Sequence, residues 1–234
     1  MTTAAEAKSP SSRAGTPPPA ALLFELEGVA LPVRPVLFDA ARARIPGLTQ
    51  AQFARCNGPI STLSAQLHQA LRLQGADGDL AAALNGAVSD RLAAKKLSLS
   101  NGLDKLLKAA AQRGIPAAAL SGLPESLAQA AFAACGLEGR DIQLFVFSDE
   151  DKSFPRADAW LKAAKHLGKT PRFCVALGSS QSACKTALSA GMRTVAAPDA
   201  FTGHQDFGGA DLIVDSWDDV SASGLLDDLI PMLH

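Results

Sequence analysis

Ser179, Ser180 and Ser182 place three hydroxyls directly after the apolar run RFCVAL (172–177) and ahead of a helical pattern. Such a cluster can cap the first amides of a helix or bind an anion at its positive end. Capping is the simpler use. No GxSxG elbow surrounds these serines, so nucleophilic serine chemistry is not expected. Asp149, Glu150 and Asp151 follow a second apolar run; they read as a solvated acidic turn, or else as a source of carboxylate for a neighbouring site. His166 lies near a helix end, where an imidazole usually meets terminal carbonyls, and His68 lies in helical text. His204 follows the run RTVAA, near the expected mouth of a site, and is a weak catalytic candidate. Cys56, Cys135, Cys174 and Cys184 form no CxxC pair and have no His at zinc-finger spacing. Buried reduced thiols are expected, and with them a reducing, cytoplasmic setting.

These residues depend on a regular scaffold. ALLFEL (21–26), closed by Gly28, reads as a buried strand. From about Pro35 to Leu97 the text turns helical, with FDAARARI, TQAQFARC, TLSAQLHQALRLQG and DLAAALNGAVSDRLAAKK. Leu63, Leu67, Ala70 and Leu71 recur as one face of a helix would require. After Asn101 and Gly102 the pattern alternates. Helices at 103–113, 124–135, 158–167 and 182–190 each stop at a glycine, and strands are expected at 115–120, 142–147, 172–177, 193–197 and 211–216. A helix over 225–233 closes the chain. Repeated helix, glycine, apolar strand and polar turn imply βα units and a parallel sheet covered on both faces. The expected fold is a doubly wound α/β core, at 20–34 and 98–234, with a small helical cap inserted at 35–97. Chemistry in such folds sits at the carboxyl ends of the strands. That points to the residues just after Leu23, Leu120, Phe147 and Leu177.

Composition narrows the partners. A net charge of −1 over 234 residues makes no electrostatic case for nucleic acid or an anionic membrane surface. No apolar run is long enough to span a bilayer. Residues 1–19, rich in Ala, Ser, Thr and Pro without an apolar segment, read as a disordered tail rather than a secretory signal; this tail is the segment that could direct an organelle. Trp160 and Trp217 are expected to pack helices on the sheet, and Asn57-Gly58-Pro59 to form a turn in the cap.

Four strand ends carry a family resemblance. FELEGVAL (24–31), LSG (120–122), Lys152 in DKSFPRADAWLKAAKHLG and LGSSQSACKTALSAGM (177–192) resemble, in order, the four motifs of the haloacid dehalogenase superfamily. FTGHQDFGGADLIVDSW (201–217) is similar to a segment of its sugar-phosphate phosphatase and β-phosphoglucomutase subgroup. The resemblance implies a reaction in which an aspartate attacks phosphorus, a second aspartate two residues on works as acid and base, and Mg²⁺ neutralises the phosphoryl charge. It assigns the nucleophile position to Glu25, the acid/base position to Glu27, and phosphate contacts to Ser121, Gly122 and Lys152.

The chain departs from that pattern where the chemistry is most demanding. Glu25 and Glu27 are each one methylene longer than aspartate, and a displacement of roughly 1 Å can cost about a hundredfold in rate. The fourth-motif acids align with Gly178 and Ser179, which have no carboxylate. Glu25 and, weakly, Glu27 are then the metal ligands that remain, fewer anionic groups than Mg²⁺ sites usually use. Lys152 is expected to pair with Glu25. Ser153 and Arg156 stand where the subgroup shows Pro and then an acid. No cofactor is expected, with Mg²⁺ entering only alongside residual activity. The reading is a degenerate family member without ordinary Mg²⁺-dependent phosphatase activity, acting as a ligand-binding or protein-interaction module. The alternatives are an atypical hydrolase of small phosphomonoesters such as sugar phosphates and a structural partner subunit. The expected partner is a small phosphorylated ligand or a protein.

Overall fold

The computed structural model describes residues 20–56, 60–74, 78–94, 97–147 and 155–228. Six strands, β1 (Ala21–Glu25), β2 (Ala117–Ser121), β3 (Ile142–Val146), β4 (Cys174–Gly178), β5 (Arg193–Ala196) and β6 (Leu212–Ile213), form one sheet in the order β3-β2-β1-β4-β5-β6. Every neighbouring pair is parallel. The central strands β1, β2 and β4 are buried along their whole length. Burial on both faces is why their sequences are continuous apolar runs rather than alternating ones.

Successive side chains still take opposite faces. Leu22 and Phe24 join one core cluster, with Leu103, Leu106 and Ala110 of α5 (Asn101–Gln112) and Ala128 and Ala131 of α6 (Glu125–Ala134). Ala21 and Leu23 join the other, with Trp160 and Ala163 of α7 (Ala157–His166) and Ala183 and Ala187 of α8 (Gln181–Ser189). Trp160 is fully buried, and its indole Nε1 donates to Thr186 Oγ1 at 3.1 Å. The indole therefore joins α7 to α8 without leaving a donor unpaired. Trp217 is also buried, against the α5 side of the sheet.

Between β1 and α5 run four helices: α1 (Arg34–Arg44), α2 (Gln50–Ala54), α3 (Ile60–Leu71) and α4 (Gly78–Ala94). Helix α4 packs on both α1 and α3, through Leu80, Leu84 and Val88 against Leu37, Ala41, Leu63 and Leu67. Short α2 starts with a capping box, Thr49 and Gln52 each satisfying the other's backbone amide. Its Phe53 is completely buried.

Several expected elements shift. Residues 172–177 do not form one strand: a tight helical turn at Pro171–Phe173 comes first, because Pro171 presets a helical φ and Phe173 N bonds Thr170 O. The last strand shrinks from 211–216 to Leu212–Ile213. The Asp211 carboxylate takes Arg193 and the Thr194 amide, and Ser216 caps a turn at Trp217–Asp219. Strand β2 starts at Ala117 rather than residue 115, after Pro116, whose carbonyl accepts from Leu22 N. Ser100 caps α5 and so starts it two residues early. Likewise α9 (Ala222–Asp228) begins ahead of residue 225, where Ser221 Oγ accepts from Gly224 N; its expected end lies outside the described residues. Ala70 is exposed, and Ser64 takes the buried place beside Leu63 and Leu67. The tail at 1–19 and the turn at Asn57–Pro59 also lie outside the described residues. No helix among the described residues is long and apolar enough to cross a membrane.

Candidate active site

Strand order reverses between β1 and β4, and there the carboxyl ends of parallel strands leave a crevice. Glu25 is the last residue of β1. The chain then makes a wide turn, Leu26–Ala30, closed by Leu31 N on Leu26 O at 2.8 Å and Gly28 N on Leu31 O at 2.7 Å. Gly28 has φ +96°, and a Cβ at this position would collide with Ser179 Oγ. Both the backbone angle and the close approach demand glycine.

Glu25 is 6% exposed. Its Oε2 accepts from the Ser179 amide at 3.0 Å and from Ser179 Oγ at 3.3 Å. Burial pushes its carboxyl up to about 8; the Ser179 amide opposes that rise and neighbouring Glu27 adds to it. Glu27 reaches across to β2. Its Oε1 accepts from Ser121 Oγ at 3.1 Å and from Gly122 N at 2.9 Å, while Oε2 is enclosed without a partner. Burial raises Glu27 to about 7, against the amide and hydroxyl bonds that favour the charged form. Ser121 is fully buried and its Oγ also accepts from Leu123 N.

The structure therefore brings Glu25, Glu27, Ser121, Gly122 and Ser179 together. Two of the three groups that the resemblance assigns to phosphate, Ser121 and Gly122, are bonded here to Glu27, whose extra methylene lets it span the gap. Gly178 ends β4, and Ser180 caps α8 through Ala183 N at 3.2 Å, the capping use expected of this cluster. Lys152, with Asp149, Glu150, Asp151 and Ser153, lies outside the described residues. His204 is exposed on the loop after β5, and the His166 ring sits 5.3 Å from that of Phe145. All four cysteines are free and buried, with burial raising each thiol.

One charged residue escaped the sequence reading. Arg34, at the start of α1, is half-buried and donates through Nη1 to Cys56 O at 2.8 Å. Its guanidinium lies 5.8 Å from the Phe53 ring centre. Burial lowers its pKa from the ordinary guanidinium range, and the carboxyl groups of Asp199 and Glu25 oppose that. The available signal was a lone base in the apolar stretch VALPVRPVL, nine residues after Glu25.

Among the described residues the donor set does not suit a hard divalent cation. Glu25 Oε2 is already engaged, Ser179 offers only a neutral hydroxyl, and a Cβ at Gly178 would stand 3.1 Å from the Ala183 methyl. No group of three His, Cys, Asp or Glu side chains able to hold a metal occurs among the described residues. What remains is a pair of carboxyls able to hold or release protons near neutrality.

Comparison with known proteins agrees with this architecture. Protein CbbY of Cereibacter sphaeroides is 29% identical over 147 residues, 60% of this chain and 63% of that protein. The chain thus matches somewhat under two thirds of that relative's length. The crystal structure of a CbbY variant from Rhodobacter sphaeroides in complex with xylulose-(1,5)bisphosphate superposes with a TM-score of 0.67 at 22% identity, over 87% of this chain and 96% of that one. A family IA hydrolase from Entamoeba histolytica reaches a TM-score of 0.70 at 20% identity, covering 92% and 99%. A predicted phosphoglycolate phosphatase from Haemophilus somnus gives 0.67 at 16%, covering 85% and 95%. The sequence profile of the haloacid dehalogenase-like hydrolases matches residues 21–191, and the chain belongs to that family.

Proposed function

We propose that this chain is an atypical hydrolase of small phosphomonoesters of the sugar-phosphate kind, acting through Glu25 and Glu27. The observation that carries this is the placement of two carboxyls at the carboxyl end of β1, one against Ser179 and the other on the Ser121 and Gly122 donors. Membership of a hydrolase family supports the reaction class. Likeness to CbbY, whose structures hold xylulose-(1,5)bisphosphate or phosphate, supports a phosphorylated sugar as substrate.

In this reading an arriving phosphoryl group takes the Ser121 and Gly122 donors from Glu27, which frees that carboxyl to turn to the leaving oxygen. Glu25 attacks phosphorus through Oε1, the oxygen that Ser179 does not hold. The ester P–O bond breaks and Glu27 gives its proton to the departing alcohol. Water then attacks the acyl phosphate, Glu27 takes its proton, and inorganic phosphate leaves with both carboxyls restored. The working form needs Glu25 ionised and Glu27 protonated. Burial raises both carboxyls, Glu25 more than Glu27, so only a minor share of molecules holds the pair that way near neutral pH. A bell-shaped and slow profile is expected, its limbs belonging to the pair rather than to either residue.

A second reading rests on Ser179. Its amide ties Glu25 Oε2 where family members carry an acid, which suits a module that binds a phosphorylated ligand or a protein without turnover. Acid quenching of the chain with a sugar phosphate, followed by peptide mass analysis, separates the two. A phosphoryl adduct on the peptide holding Glu25, stronger in Glu27→Gln and missing in Glu25→Gln, is the hydrolase result. No adduct in any of the three, with no phosphate released, is the result of the binding module and sinks the first reading.

A further inference from the structure

We propose that Arg34 supplies the fixed positive charge for an anionic ligand at the Glu25 end of this site, so that the chain itself carries the charge that a divalent ion would otherwise bring. That the ligand is a phosphoryl group rests on the hydrolase reading above; the place of the guanidinium does not.

The geometry sets Arg34 at the seam between cap and core. It opens α1, four residues after the turn that begins directly beyond Glu25. Its Nη1 is anchored to the carbonyl of Cys56, just past α2, and the guanidinium lies beside Phe53 of that helix. Phe53 meets Phe38 of α1 and Phe201 edge-to-face, with ring centres 5.4 and 5.6 Å apart. Phe201 belongs to the loop that leaves β5, where Ala197 N bonds Gly178 O beside the serine that holds Glu25. Gln50 of α2 also donates to Ala200 O at 3.1 Å. The cap residues that hold Arg34 are thus packed against the loop that borders the Glu25 crevice.

A guanidinium has five N–H donors in a fixed fork that matches phosphate geometry. Here the Cys56 carbonyl is its one hydrogen-bond acceptor among the described residues. Asp199 and Glu25 lie within electrostatic reach, and among the described residues neither closes to an ion pair with it. Asp199 is itself engaged, accepting from Phe201 N and Thr202 Oγ1. The Phe53 ring lies over the guanidinium and adds a cation–π contact that holds it in place. A permanent cation in this place, at a site whose described residues do not suit a metal, has an anion as its natural complement.

The test is calorimetric titration of the full chain with inorganic phosphate after dialysis against EDTA. Wild type should bind without metal. Arg34→Gln should bind about ten- to hundredfold more weakly, the loss expected for one charge-assisted bond, and Arg34→Lys should recover part of it. Should Arg34→Gln fail to fold, the wild-type chain still decides: phosphate should protect Arg34 from an arginine-selective dicarbonyl reagent, read by peptide mass. Phosphate binding that needs Mg²⁺, equal affinity in Arg34→Gln, no protection of Arg34, or no phosphate binding at all would each overturn the proposal. A chain that binds phosphate through Arg34 yet hydrolyses no ester sinks the hydrolase reading and leaves this one standing.

Discussion

Glu25→Gln should make the protein more stable, and increasingly so as pH rises. Glu25 ionises at about 8 in the folded chain against an ordinary 4.5, because burial disfavours the carboxylate. For a raised carboxyl, the folded state keeps its proton while the unfolded chain has lost it. The stability contributed by the neutral group is complete below pH 4.5 and is lost as pH climbs to about 8. One proton of difference is worth at most about 1.4 kcal/mol per pH unit. Between pH 5 and pH 8 the advantage of Glu25→Gln over wild type should therefore grow by up to about 4 kcal/mol. Glutamine keeps the shape, and its carbonyl can still accept from the Ser179 amide, so little packing is lost. Urea unfolding of both proteins at four pH values measures the difference directly. Parallel stability profiles, with no widening gap, would show that Glu25 is not held neutral by burial.

Other perturbations have defined outcomes. Gly28→Ala meets Ser179 Oγ and a φ of +96° together, so it should destabilise the fold by about 2 kcal/mol or more and weaken phosphate binding, seen by thermal melting and calorimetry. Phe53→Ala empties a fully buried ring site between α1 and the Phe201 loop; a loss of about 3–5 kcal/mol is expected in chemical unfolding. Ser180→Ala removes the α8 cap and should cost about 1 kcal/mol by the same measurement.

The βα repeat was legible because glycine ends each helix and the buried strands are unbroken apolar runs. Gly114, Gly136, Gly168 and Gly191 all take positive φ at the helix ends where the sequence places them. Fine boundaries were hidden by local hydrogen bonds that apolar patterning does not encode. Asp211 holding Arg193 and Thr194 shortens the edge strand, and Ser100 lengthens α5. The site was half readable. Glu25, Glu27, Ser121, Gly122 and Ser179 fall at strand ends, but who bonds whom spans 94 positions for Glu27 with Ser121 and 154 for Glu25 with Ser179. No spacing rule reports that the longer Glu27 side chain reaches the donors of the next strand. Arg34 stayed hidden because its value comes from the Cys56 carbonyl and the Phe53 ring, which only the folded chain brings to it.

The most direct measurement is phosphate release from a panel of sugar phosphates by the wild-type chain, in EDTA and in Mg²⁺, beside Glu25→Gln. The account predicts slow release that persists in EDTA, peaks between pH 7 and 8 and disappears in Glu25→Gln. Release that is the same with and without Glu25, or none from wild type on any substrate, would contradict it.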